Sequence, residues 1–105
     1  MIYKFKSKAT GDLIMLGPQG DQLLRLLGRD PAPQGILEAA DLAEARRRLE
    51  AALAEAEAAA AQAHDAGEPD EERRREAVGL RQRVWPMMQM LERAASAREA
   101  IVWGV

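Results

Sequence analysis

The sequence predicts an α+β domain. A small sheet of about three strands, made by an N-terminal hairpin and a C-terminal strand, is expected to pack against a short helix and a long antiparallel helical hairpin. Three observations predict this. Residues 1–6 alternate, with Met1, Tyr3 and Phe5 on one face and Lys4 and Lys6 on the other, the period of a half-solvated strand. From Leu42 onward two long segments carry apolar residues at spacings of three and four, the period of amphipathic helices. Finally, Ile101-Val102-Trp103 is a β-branched and aromatic run, which favours a closing strand.

The elements follow in order. After the strand at 1–6, Ala9-Thr10-Gly11-Asp12 is turn chemistry, and Leu13-Ile14-Met15-Leu16 is a continuous apolar run that predicts a second, more buried strand at 12–16. In GPQGDQLLRLLG, Pro18 stands where a first helical position falls and Gly28 just past the last leucine, the asymmetry of a short helix. The loop RDPAPQG precedes Ile36-Leu37, a brief segment able to pair in extended form. Asp41 and Glu44 match a capping box, so a long helix starts there and runs to about Ala63. HDAGEPD then interrupts the pattern, and a mobile linker is expected near 64–70. The third helix begins within 70–75 and carries Ala77, Leu80, Val84, Met87, Leu91, Ala94 and Arg98 in a register that matches the preceding helix. The strand at 100–104 completes a sheet covered on one face by helices.

Size and composition bound the function. At 105 residues the chain forms one compact domain, residues 1–105. Only four residues are aromatic and twenty-one are alanine, so the core is expected to be thin and helix-rich. A net charge of −2 offers no general attraction to nucleic acid or to an anionic membrane. With no cysteine there is no disulfide framework or thiolate chemistry. No apolar run approaches the length of a membrane span and no signal-peptide pattern is read, so a cytoplasmic location is expected.

The stretch RVWPMMQML at 83–91 is the least ordinary in the chain. On a helix its apolar residues, Val84, Trp85, Met87, Met88, Met90 and Leu91, cover an arc of about 220°, against about 100° for an ordinary surface helix. Pro86 lies on the opposite side and should kink or divide the helix. The sheet can take one flank of this arc. The other is expected to take a partner, with Trp85, Met87, Met88 and Met90 forming an interaction surface for a homodimer or another protein.

Other candidates are weaker. The glycine-containing turn between the second strand and the first helix could bind an anion, or, with Asp12, Asp21 and Arg25 around it, support a small-molecule site or small enzyme near 17–25; it lacks the spacing and the lysine of a phosphate loop. His64 has no rigid partners for a metal or catalytic pair. Arg46-Arg47-Arg48 and Arg73-Arg74-Arg75, with Arg81 and Arg83, could line a phosphate track, but Glu44, Glu50, Glu72 and Glu76 interleave with them and no aromatic platform accompanies them. The expectation is a non-enzymatic protein that needs no catalytic residue, metal or cofactor and acts by association, with nucleic acid disfavoured as a partner.

The opening MIYKFKSKATGDLIMLGPQGD, the following LLRLLGR, and the endings LRQRVWPMMQML and IVWGV resemble a family of small, functionally uncharacterised bacterial proteins, mainly proteobacterial, classed as a domain of unknown function. The resemblance covers both ends; the Ala/Glu-rich middle adds little. It implies a bacterial cytoplasmic protein of one compact domain, and it carries over no catalytic or binding residue.

Overall fold

A computed structural model describes residues 2–65 and 71–104, apart from the side chains of 62–65 and 73. Strands β1 (Ile2–Ser7) and β2 (Thr10–Leu16) form a hairpin, followed by helix α1 (Gly17–Leu26), strand β3 (Gly35–Leu37), and a 3-10 turn at Ala39–Asp41. Helices α2 (Leu42–Asp65) and α3 (Glu71–Ala97) and strand β4 (Ile101–Trp103) complete the chain. The architecture is α+β, as the sequence predicts, and the short Ile36-Leu37 segment becomes a fourth strand. The sheet order is β2-β1-β4-β3, with every pairing antiparallel.

The hairpin departs from expectation in two ways. Its turn lies at Lys8-Ala9, ahead of the Ala9–Asp12 segment, because Ser7 pairs with Thr10 and a register shift between Phe5 and Ser7 absorbs one residue. The Ser7 hydroxyl accepts the Ala9 N–H at 3.3 Å, which holds the tight turn. Nor is β2 a buried strand: it is an edge of the sheet and alternates, with Met15 buried and Ile14 and Leu16 exposed. Its continuous apolar run thus divides between two faces.

The helices cover one face of the sheet. Both α1 and α3 contact β2, α1 also reaches β1, and α2 lies along α3. Glu57 meets Arg81, while Arg46, eleven positions earlier on α2, meets Glu92, eleven positions later on α3, the signature of an antiparallel pair. Between the layers Tyr3 stacks on Phe5 with centroids 5.8 Å apart, and Phe5 meets Trp103 at 5.7 Å in a tilted arrangement. Around them pack Leu23, Leu24, Leu37, Leu42, Leu49, Met87, Leu91 and Ile101, all buried. The Trp103 indole N–H donates to the Ala32 carbonyl at 3.0 Å, so its one polar atom is satisfied inside the core.

Local chemistry ends the helices. Past α1, Gly28 adopts φ 84°, and the N–H groups of Gly28 and Arg29 bond the carbonyls of Arg25 and Leu24, a Schellman cap in which glycine avoids the Cβ penalty. Past α3 the same pattern is built by Arg98, φ 57°, and Glu99 on the carbonyls of Ala95 and Ala94. At the start of α2 the expected capping carboxylates are engaged elsewhere: Asp41 accepts from Arg29, and Glu44 holds Arg47 and Arg48. The expected linker near 64–70 begins with two residues that continue α2, and its remainder, 66–70, lies outside the described residues.

Candidate interaction surface

β1 decides what the two faces of the sheet carry. Tyr3 and Phe5 point into the core, so Ile2, Lys4 and Lys6 point away from it. Cross-strand partners share a face, and the register pairs Ile2 with Leu16, Lys4 with Ile14, Lys6 with Val102, and Val102 with Ile36. The face opposite the helices therefore carries Leu16, Ile14, Ile2, Val102 and Ile36 around a central strip of lysines. Exposure is 64% at Ile2, 62% at Ile14 and 60% at Leu16, and these three are contiguous, since Ile14 and Leu16 are neighbours on β2 and Ile2 lies across from Leu16. In an antiparallel sheet with one solvated face that face is ordinarily polar. Here it is mostly aliphatic.

Charge on this face is concentrated on β1. Lys4 pairs with Asp12 of β2 at 3.6 Å, an exposed contact of the kind that contributes little to stability. Lys6 follows on the same strand, and exposed Lys8 stands in the turn beyond it.

The expected interaction surface on α3 needs correction. Met87, Met88 and Met90 are buried, while Trp85 is 47% exposed. The wide apolar arc is covered within one chain because α3 lies between α2 and the sheet, so neighbours on two sides, one helical and one a sheet, take the methionines. Pro86 leaves α3 undivided from Glu71 to Ala97. Both Pro86 and Gln82, whose carbonyl loses its helical donor, are exposed, and water can meet that carbonyl. Trp85 keeps the Arg81 guanidinium 5.7 Å from its ring, and exposed Val78 lies two turns away on the same side of the helix.

The residues considered around the first strand–helix turn do not converge. Asp12 is engaged by Lys4 on the open face, whereas Asp21 accepts the hydroxyl hydrogen of Tyr3, a core residue. That bond, together with burial and the Asp21 charge, raises the Tyr3 phenol from its ordinary value of 10.0 to about 12, with Arg25 acting in the opposite direction. It ties α1 to β1. Gly20 permits the approach, since a Cβ there would fall 2.1 Å from the Tyr3 ring.

Arginines expected to form a phosphate track are largely spent on acids: Arg46 on Glu50, Arg47 and Arg48 on Glu44, Arg75 on Glu71, and Arg81 on Glu57. Hydrogen bonds from Arg47 and Arg48 hold the Glu44 carboxyl below its ordinary range. Arg83 bonds the Gly79 carbonyl and Gln22 at the rim of an open groove floored by Ala56, Ala59, Ala77 and Leu80. Among the described residues no group of three or more His, Asp or Glu side chains is placed to hold a metal ion, and no helix is long and apolar enough to cross a membrane.

The exposed aliphatic face was the signal missed in the sequence. It could have been found by carrying the alternation of β1 across the hairpin, since Tyr3 and Phe5 inside force Ile2 outside, and any antiparallel register that keeps Met15 inside sends Ile14 and Leu16 out with it.

Fold and surface together define a small two-layer α+β protein whose sheet is roofed by helices on one side and bare and aliphatic on the other. Within that class the chain belongs to the family described as Domain of unknown function (DUF1840), whose model matches residues 1–103. No curated protein matches it, and no solved structure matches it.

Proposed function

We propose that this protein acts by associating with another polypeptide, not by catalysing a reaction, and that it does so through the open face of its sheet in a bacterial cytoplasm. The observation that carries the reading is the contiguous exposure of Ile2, Ile14 and Leu16. Each large aliphatic side chain taken out of water contributes about 1.5–3 kcal/mol, and apolar patches on soluble chains commonly mark interaction sites. The ion-paired arginines weigh against nucleic acid as the partner. Self-association through α3 is a second reading, supported by Trp85 with Val78 once the methionines are set aside.

A photo-crosslinking residue placed at position 14, and separately at exposed positions 47 on α2 and 85 on α3, tests the reading in the protein's native cells. A discrete covalent adduct from position 14 and none from position 47 is the expected result. Adducts from neither position, or equally from both, would remove it, and an adduct specific to position 85 would favour the α3 reading.

A further inference from the structure

Resting on the second of those readings and independent of the open face, we infer that α3 carries a two-fold contact with a second copy of this chain, in which Trp85 of each copy fills a groove beside Val78 of the other. The groove follows from composition. Past Leu53 the buried residues that join α2 to the start of α3 are small, Ala60 and Ala77, and they leave space that larger side chains would fill. An open groove of about 320 Å3 lies there, floored by Ala60, Ala61, Ala77 and Val78 and walled by Glu57 and Arg74. Trp85 stands on the same flank of α3 as Val78: seven residues separate them, about 20° around the helix and about 10.5 Å along it. Arg81, bonded to Glu57 at 2.7 Å, lies between them on the helix. The indole is 47% exposed, and on one continuous helix it cannot turn back into the groove of its own chain. A projecting aromatic and a groove on one surface are what a two-fold axis joins, since residue i then meets j while j meets i.

The groove's chemistry suits an indole. One carboxylate oxygen of Glu57 accepts from Arg81, which leaves the other to accept an indole N–H. Arg74, on the groove wall, is able to stack on the inserted ring as Arg81 does on Trp85 within the chain, at 5.7 Å. Charge is compatible with the two-fold as well. With the two α3 helices antiparallel and position 78 facing position 85, the axis falls beside Arg81, whose charge Glu57 already meets. Position 92 then faces position 71, so Glu92 of one copy comes within a turn of Arg74 in the other, about 4.5 Å along the helix, while Glu71 is held by Arg75 at 3.2 Å. Opposite charges thus flank the apolar contact, an arrangement that fixes register, and tryptophan is among the residues that dominate interface energetics.

The experiment follows the full chain by sedimentation from micromolar to millimolar concentration, where a reversible dimer is expected. Trp85→Ala removes the inserted ring and Ala61→Leu fills the groove, both at exposed positions, so each should leave the circular dichroism unchanged and weaken the dimer at least about tenfold. Ile14→Thr, on the open face, should leave the dimer as it is. Because the chain has no cysteine, the geometry can be read directly. Val78→Cys mixed with Trp85→Cys keeps one Trp85 and one intact groove in each mixed pair, and mild oxidation should join the two in higher yield than either variant alone. A monomer at every concentration, a dimer insensitive to both substitutions, or equal disulfide yield from the single variants would overturn the inference. So would a dimer lost with Ile14→Thr, which would place self-association on the open face. An adduct from position 85 to a different protein would keep the α3 reading and overturn the second copy, and the crosslink from position 14 decides the open-face reading separately.

Discussion

Both faces of the sheet carry large apolar side chains, yet only one is covered. Toward the helices it presents Tyr3, Phe5, Met15, Leu37, Ile101 and Trp103, all buried; away from them it presents Ile2, Ile14, Leu16 and Ile36, all exposed. The difference is one of supply. Of the three helices, α1 and α3 touch the sheet from the same side and α2 is occupied in covering α3. Antiparallel sheets tolerate one wet face when its residues are polar; here the wet face is mostly aliphatic, a cost in solubility. Trp85 and Met90 repeat the contrast within α3: similar apolar residues, one half-open and the other enclosed.

The contrast can be broken by substitution, and the largest effect is expected where it is sharpest. Met90→Glu would place a carboxylate in the enclosed side of α3 without a partner, at a cost of several kcal/mol, and circular dichroism should find it unfolded or nearly so. Phe5→Ala, which opens a cavity between Tyr3 and Trp103, should cost about 3–5 kcal/mol in denaturant unfolding. A cost within about 1 kcal/mol would mean that the covered face is not the core. Gly20→Ala should lose about 1–3 kcal/mol by forcing its methyl against the Tyr3 ring, and Tyr3→Leu should recover part of that loss.

A pH titration sharpens the same contrast without mutation. Because the folded Tyr3 phenol is raised to about 12 from 10.0, the folded chain holds a proton that the unfolded chain releases. The stability this contributes is complete below about pH 10 and falls as pH rises toward about 12. Phenolate absorbance should therefore appear late in the folded protein, and Asp21→Asn should bring it to lower pH by removing the carboxylate that holds the hydroxyl. The smallest effects belong to the exposed positions. Ile14→Ala should change the unfolding free energy by about 0.5 kcal/mol or less; a larger loss would show that the open face is packed against something in the isolated chain.

Much of the molecule was legible in advance because short-range chemistry carries it. The alternation read at the start of the chain is that of β1 from Ile2 on, Pro18 and Gly28 bracket α1, and the spacings of three and four over 42–53 and 77–94 are the buried stripes of α2 and α3, although farther along α2 it is Ala60 that is buried and Ala59 that is exposed. Each of these is a local constraint, set by side-chain period or by backbone conformation within a few residues. What only the tertiary structure decided is which apolar surfaces meet. RVWPMMQML and LIML look equally in need of cover, and nothing local distinguishes them. Chain connectivity places α3 between α2 and the sheet, which buries the methionines, and the order β2-β1-β4-β3 leaves LIML on an edge strand with half its side chains facing away from every helix. Burial is a property of pairs of surfaces, so periodicity can say which residues share a face, and only the packing of distant segments says whether that face is covered.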